Sequence, residues 1–144
     1  MSFLIDTNVV SELTKVPPHE GVVRWLKTVP RSEAWISVAV IAEIRSGIEF
    51  SAVNRHGVDL DAWLIQSLLP QFSGRILDVD ERIAHHWGRF DRQLRRLSVK
   101  DPTIDALLAA TAKVHGLTVA TRNIKHFEPL GIPVFDPYAA TDLA

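Results

Sequence analysis

The chain opens with a short apolar run, Phe3-Leu4-Ile5 after Ser2, that gives way at once to the polar triplet Asp6-Thr7-Asn8. An unbroken apolar run bounded by polar residues predicts a strand buried on both faces, the central strand of a sheet. Val9 to Thr14 then reads as a short helix stopped by Val16-Pro17-Pro18, and His19 to Lys27 as a second, with Val22, Val23 and Leu26 on one side. Ala34-Trp35-Ile36-Ser37 predicts a strand whose last residue is a helix N-cap. Val38 to Phe50 carries Ile41, Ile44 and Ile48 at helical spacing, and Leu60 to Phe72 is a further helix with Pro70 near its end.

Arg75 to Val79 predicts a third, weaker strand. Ile83, Trp87, Phe90, Leu94 and Leu97 follow in a 4-3-4-3 pattern, one apolar helical face that includes Trp87 as a core residue. Asp101-Pro102 reads as an N-cap followed by proline at the first helical position, with Gly116 as the stop. Leu117 to Thr121 is a strand, and Ile132 to Phe135 a last one whose proline favours a sheet edge. Strands separated by helices predict an α/β fold with a parallel sheet covered on both faces. With no linker, repeat or low-complexity segment, residues 1–144 read as one domain.

Composition narrows this little but usefully. At 47% apolar and 23% charged, 144 residues suffice for one globular core without staples. The absence of cysteine excludes disulfides and thiolate metal sites and fits a reducing, cytoplasmic setting. No run has the length of a membrane span, and no basic stretch precedes the first apolar segment, so neither membrane nor signal peptide is expected. A net charge of −1 excludes a generic polycation, so any nucleic acid must be met by a local patch.

Three carboxylates stand out by position: Asp6 at the end of the first strand, Glu43 off the apolar stripe of its helix, and Asp105 in the first turn of the Asp101-Pro102 helix. Open α/β sheets bind ligands at the carboxyl edge, where strands end and helices begin, so Asp6 and Glu43 are expected near each other. Asp105 precedes the fourth strand, and chain order alone does not bring it there. Singly, each acid has a plain role: Asp6 as a turn former or cap, Glu43 as a solvated helix residue, Asp105 as a partner of helix-start N–H groups. Three together would repel, and a divalent cation is the usual solution. Hard oxygen donors without cysteine or a histidine pair suit magnesium or manganese.

Four segments carry a resemblance. Phe3-Leu4-Ile5-Asp6-Thr7-Asn8-Val9-Val10-Ser11-Glu12-Leu13 is similar to the opening of PIN-domain ribonucleases. Ile36 to Gly47, with Glu43, resembles their second motif; Asp105 to Ala112 and Gly116 to Asn123 resemble the third and fourth. The likeness runs from Ser2 to Pro137 and is greatest to VapC-type toxins of toxin–antitoxin pairs, in the FitB-like branch. It implies a sheet of order 3-2-1-4-5 with the acids gathered in one groove, Asp105 included. It implies that Asp6 and Asp105 ligate Mg2+ or Mn2+ directly and Glu43 directly or through water. Thr7, Asn8 and Thr121 would hydrogen-bond the carboxylates or the scissile phosphate, with Arg122 and Lys125 placed to touch substrate. Asn123 stands where many relatives have a fourth acid; an amide ligates weakly, so one well-held ion is expected.

The resemblance further implies hydrolysis of RNA phosphodiesters, a homodimer, and a cognate DNA-binding antitoxin whose tail fills the groove. Val10, Leu13, Val22, Val23 and Leu26 are candidates for the surface that the tail covers, or for core. Arg82, Arg89, Arg92 and Arg96 form either an RNA track or a solvated helix face. Arg45 faces substrate or pairs with Glu49, and His85, His86, His115 and His126 read as surface or packing residues. Two other readings stand beside this one. An inactive PIN-like module would bind RNA or a partner without cutting, and a magnesium-dependent phosphoaspartate phosphatase or receiver domain also uses a strand-end aspartate.

Overall fold

The computed structural model describes residues 1–51 and 59–139; the remainder of the expected single domain, residues 52–58 and 140–144, lies outside them. Strand β1 (Phe3–Ile5) lies at the centre of a five-stranded sheet of order β3-β2-β1-β4-β5, with every neighbouring pair parallel. On one side of it lie β2 (Ala34–Ser37) and β3 (Ile76–Leu77), on the other β4 (Thr118–Ala120) and the edge strand β5 (Val134–Phe135). The chain steps one way from β1 through β2 to β3 and then crosses back to β4 and β5, and right-handed crossovers in opposite directions put helices on opposite faces. Both faces are therefore dry: Leu4, Ile5, Ile36, Val119 and Ala120 are fully buried.

The helices are α1 (Thr7–Ser11), α2 (Glu20–Thr28), α3 (Val38–Phe50), α4 (Leu60–Trp63), α5 (Leu69–Gln71), α6 (Glu81–Arg96), α7 (Thr103–His115) and α8 (Ile124–Phe127). Among the described residues no helix is long and apolar enough to cross a membrane. α1 starts at Thr7 rather than Val9, because the Asp6 side chain accepts from Thr7 N and caps it. Between α4 and α5, Leu64–Leu68 form a π turn in which Leu69 N bonds Leu64 O. Pro70, one residue on, has no N–H to give, and the widened turn shifts the ladder ahead of that gap.

Three expectations are corrected on the α6–α7 unit. Leu97 is not on the apolar face: α6 ends at Arg96, Ser98 turns at φ 63°, and Leu97 is left 53% exposed. Trp87 is only half-buried, with its indole N–H donated to Thr103 O. Asp101 does not cap α7, since it adopts a left-handed φ of 50° and Pro102 takes the cap position without a side-chain bond.

Gly116 ends α7 at φ 67°, and one residue, Leu117, links it to β4. A helix joined so tightly to a parallel strand must finish where that strand begins. The first turn of α7 therefore lies at the opposite, carboxyl edge of the sheet, and topology places Asp105 there after all. A side chain at position 116 would be held in the left-handed region, so Gly116→Ala is expected to lower stability by about 1 kcal/mol in urea denaturation.

Candidate functional site

Asp6 follows β1 directly, and its backbone N–H donates to Ala120 O at 2.9 Å, prolonging the β1–β4 ladder by one residue. That bond fixes Asp6 at the point where the sheet order reverses, the crevice position for an α/β ligand site. The side chain is 3% exposed and holds three hydrogen bonds. Oδ1 accepts from Thr7 N at 2.7 Å; Oδ2 accepts from Thr121 Oγ1 at 2.7 Å and Asn8 Nδ2 at 3.2 Å. Despite these donors its pKa is pushed up to about 6, first by burial, then by the Asp105 and Glu43 charges; Thr121 and Thr7 pull it back.

The strand ends on either side are laced together. Thr121 Oγ1 also accepts from Asn123 N at 2.9 Å, and Asn8 Oδ1 accepts from Arg122 N at 3.3 Å. Arg122 lies over the Tyr138 ring, 3.7 Å from its centroid. The Tyr138 hydroxyl bridges Asn8 O at 2.7 Å and Glu12 Oε2 at 2.9 Å, and burial with the Glu12 charge raises its pKa, keeping it a donor. Asn123 and Lys125 have exposed side chains at the start of α8. Glu43 is exposed on α3 and couples to Asp6 through charge.

His126, expected at the surface or in packing, instead has its Nδ1 against Asp105 Oδ2. α8, which follows β4, brings the ring there, an approach with no signature in local spacing. Glu12 was likewise given no role, although it is 4% exposed and accepts from His19 N at 2.9 Å, Lys15 Nζ at 3.1 Å and Tyr138 Oη. Arg45 is committed to Asp61 at 2.7 Å and Glu49 at 3.7 Å. Arg82, Arg89, Arg92 and Arg96 are solvent-exposed along α6.

Three bonds occupy three of the roughly four lone-pair positions of a carboxylate, so Asp6 keeps an acceptor position for a cation. Among the described residues no three His, Asp or Glu side chains are drawn together tightly enough to close around one ion. The free acceptor position on Asp6 is a hard oxygen donor of the kind that suits a hard cation such as magnesium.

The family model of the PIN domain matches residues 3–129. The chain belongs to the PIN domain family. It is 36% identical over 135 residues to toxin FitB of Neisseria gonorrhoeae, covering 94% of this chain and 97% of that protein. It is 29% identical to the VapC ribonuclease Y4jK of Sinorhizobium fredii, over 94% of this chain and 96% of that one. The crystal structure of FitAcB from Neisseria gonorrhoeae superposes with a TM-score of 0.84 at 36% identity, covering 95% of this PIN domain and 99% of its counterpart. His126 has a clear test in this setting. If Asp105 ligates a divalent cation, the ring in contact with it orients that ligand, and His126→Ala should weaken Mg2+ binding about 10–100-fold in calorimetry.

Proposed function

We propose that this PIN domain is a ribonuclease, dependent on Mg2+ or Mn2+, and the toxin of a toxin–antitoxin pair. The observation that carries the reading is Asp6: a buried carboxylate that accepts three hydrogen bonds from two strand ends and is still short of positive charge, because the Asp105 and Glu43 charges oppose its ionisation. Asp6 and Asp105 would hold the ion, with Glu43 reaching it directly or through water and Asn123 as a weak further donor. A bound divalent cation supplies acidified water and screens charge that develops on the phosphoryl oxygens. Asn8 and Thr121 fix the Asp6 carboxylate by the bonds described, Thr7 through its backbone N–H. Glu43, exposed on α3, would take a proton from the attacking water. Arg122, steadied on Tyr138, and Lys125 offer positive charge to the RNA backbone.

The names of its relatives support this reading, one a toxin and one a ribonuclease. A DNA-binding antitoxin is the partner it calls for, along with a homodimer of the domain. The anionic groove suits an Arg or Lys delivered by the antitoxin tail. Of the residues expected beneath that tail, Val10 and Val22 are core, whereas Leu13, Val23 and Leu26 keep exposed surface. Leu13 and Leu26 line a cleft with Val29, Phe72, Arg31 and Arg75, where an apolar tail would bury them.

The test is cleavage of total RNA by purified protein with Mg2+ or Mn2+, with and without EDTA. Discrete cuts that vanish in EDTA are expected. Uncut RNA under all metal conditions, with RNA still bound, would establish the inactive-module reading that Asn123 favours. Cuts that persist in EDTA would remove the metal from the mechanism.

A further inference from the structure

A groove of about 190 Å³ opens beside the carboxylates and runs between α1 and α3 toward α4. Thr7 and Glu43 stand at its site end, Ile44, Gly47 and Ile48 line it along α3, and Trp63 lies on its wall. We propose that this groove is a nucleobase subsite, seating the base of a nucleotide that flanks the scissile phosphate; the inference rests on the ribonuclease reading above.

Chemistry selects the occupant. Among the described residues lining the groove Glu43 is the only formal charge, so a phosphate would be repelled and a moiety that offers N–H donors accepted. Thr7 Oγ1 is buried without a hydrogen-bond partner, a hydroxyl that no protein group uses. An indole and two isoleucines supply a flat apolar wall, the usual platform for a base splayed from a single strand.

Gly47 is the second, independent observation. It sits inside the 13-residue helix α3, where glycine lowers helix stability by about 0.5–1 kcal/mol relative to alanine. Its backbone is not left-handed, and a Cβ built on it meets nothing within 4 Å. Gly21 is the contrast: there a Cβ would come within 3.0 Å of the His19 ring and 3.1 Å of Pro137 O, a packing reason for glycine. As is also true of Gly88 inside α6, which lines no such groove, nothing among the described residues requires glycine at 47. What a side chain there would remove is room in the groove.

The test compares wild type with Gly47→Leu on fluorescent single-stranded RNA oligonucleotides spanning a mapped cut site. A matched series lacks one base at a time next to the cut. Binding is read by anisotropy in EDTA and cleavage in Mg2+, with Gly47→Ala as the folding control, expected to melt no lower than wild type. Gly47→Leu should weaken binding of the intact oligonucleotide by about 10-fold, while one abasic position makes wild type and variant equal. Equal binding of intact RNA by both proteins overturns the subsite. So does the same loss on intact and every abasic oligonucleotide, and so does unchanged RNA affinity with loss of antitoxin binding, which would give the groove to a protein segment. Base-dependent binding that Gly47→Leu abolishes, without cleavage in Mg2+, would keep the subsite and overturn the nuclease reading.

Discussion

Asp6→Asn is expected to reduce RNA cleavage by about 10³-fold or more while leaving the fold intact, because it removes the central charge of the site. The same variant should change stability in a direction that distinguishes a functional carboxylate from a structural one. Asp6 titrates at about 6 in the folded protein against an ordinary 3.8. The folded state therefore binds the proton more tightly than the unfolded chain, and metal-free stability falls as pH rises from about 4 to 6. The full penalty, about 3 kcal/mol, is present above that window and is relieved below it. Asp6→Asn abolishes this slope. At pH 7 and without metal it should be at least as stable as wild type, the gain being limited because an amide offers only one of the two acceptor oxygens that Thr7, Asn8 and Thr121 use. Mg2+ should raise the melting temperature of wild type and leave the variant unmoved. An equal rise in both, or retained cleavage, would sink the assignment.

Glu12→Ala is expected to be the most damaging polar substitution for stability, at about 2–4 kcal/mol in urea denaturation. Glu12 is buried like Asp6 but has the opposite electrostatic balance. Burial pushes its pKa up, and the donors Lys15, Tyr138 and the His19 N–H more than reverse this, leaving it below the ordinary value. Its contribution is thus present above the ordinary glutamate range and lost as pH falls through the lowered folded value. Alanine would leave the His19 N–H unanswered and remove one of the two acceptors that share the single Tyr138 hydroxyl proton. It would also loosen the clasp by which Tyr138 holds Asn8 O and carries Arg122. Glu12→Gln, which keeps acceptor oxygen, should cost less than half as much. A loss under 1 kcal/mol for alanine would show that the clasp is held by packing instead.

The two buried acids show how far local sequence reaches. Both lie in the opening segment that resembles PIN ribonucleases, six residues apart, and only Lys15, three residues beyond Glu12, marks a local difference between them. The rest is made by distant segments: Tyr138 donates to Glu12, whereas Asp105 and Glu43 set their charges against Asp6. Helix α6 makes the same point for packing. Its heptad-like spacing holds at Ile83, Phe90 and Leu94, with Trp87 only half-buried, yet the helix stops before Leu97, because the turn at Ser98 ends the periodicity that the pattern assumes.

The sequence by itself determined the parallel α/β architecture, the central place of β1, the caps at Ser37 and Gly116, and the position of Asp6 at the end of β1. Periodicity, capping and strand-end polarity are short-range properties, written in consecutive residues. Only the tertiary structure decided that α7 runs back to the carboxyl edge, that His126 stands behind Asp105, that Glu12 is clasped by Tyr138, and that Gly47 leaves a groove open beside Glu43. Each of these depends on the direction in which an element is traversed or on a contact between distant segments. Closing such a contact is fixed by the packing of the whole sheet, not by the residues on either side of it.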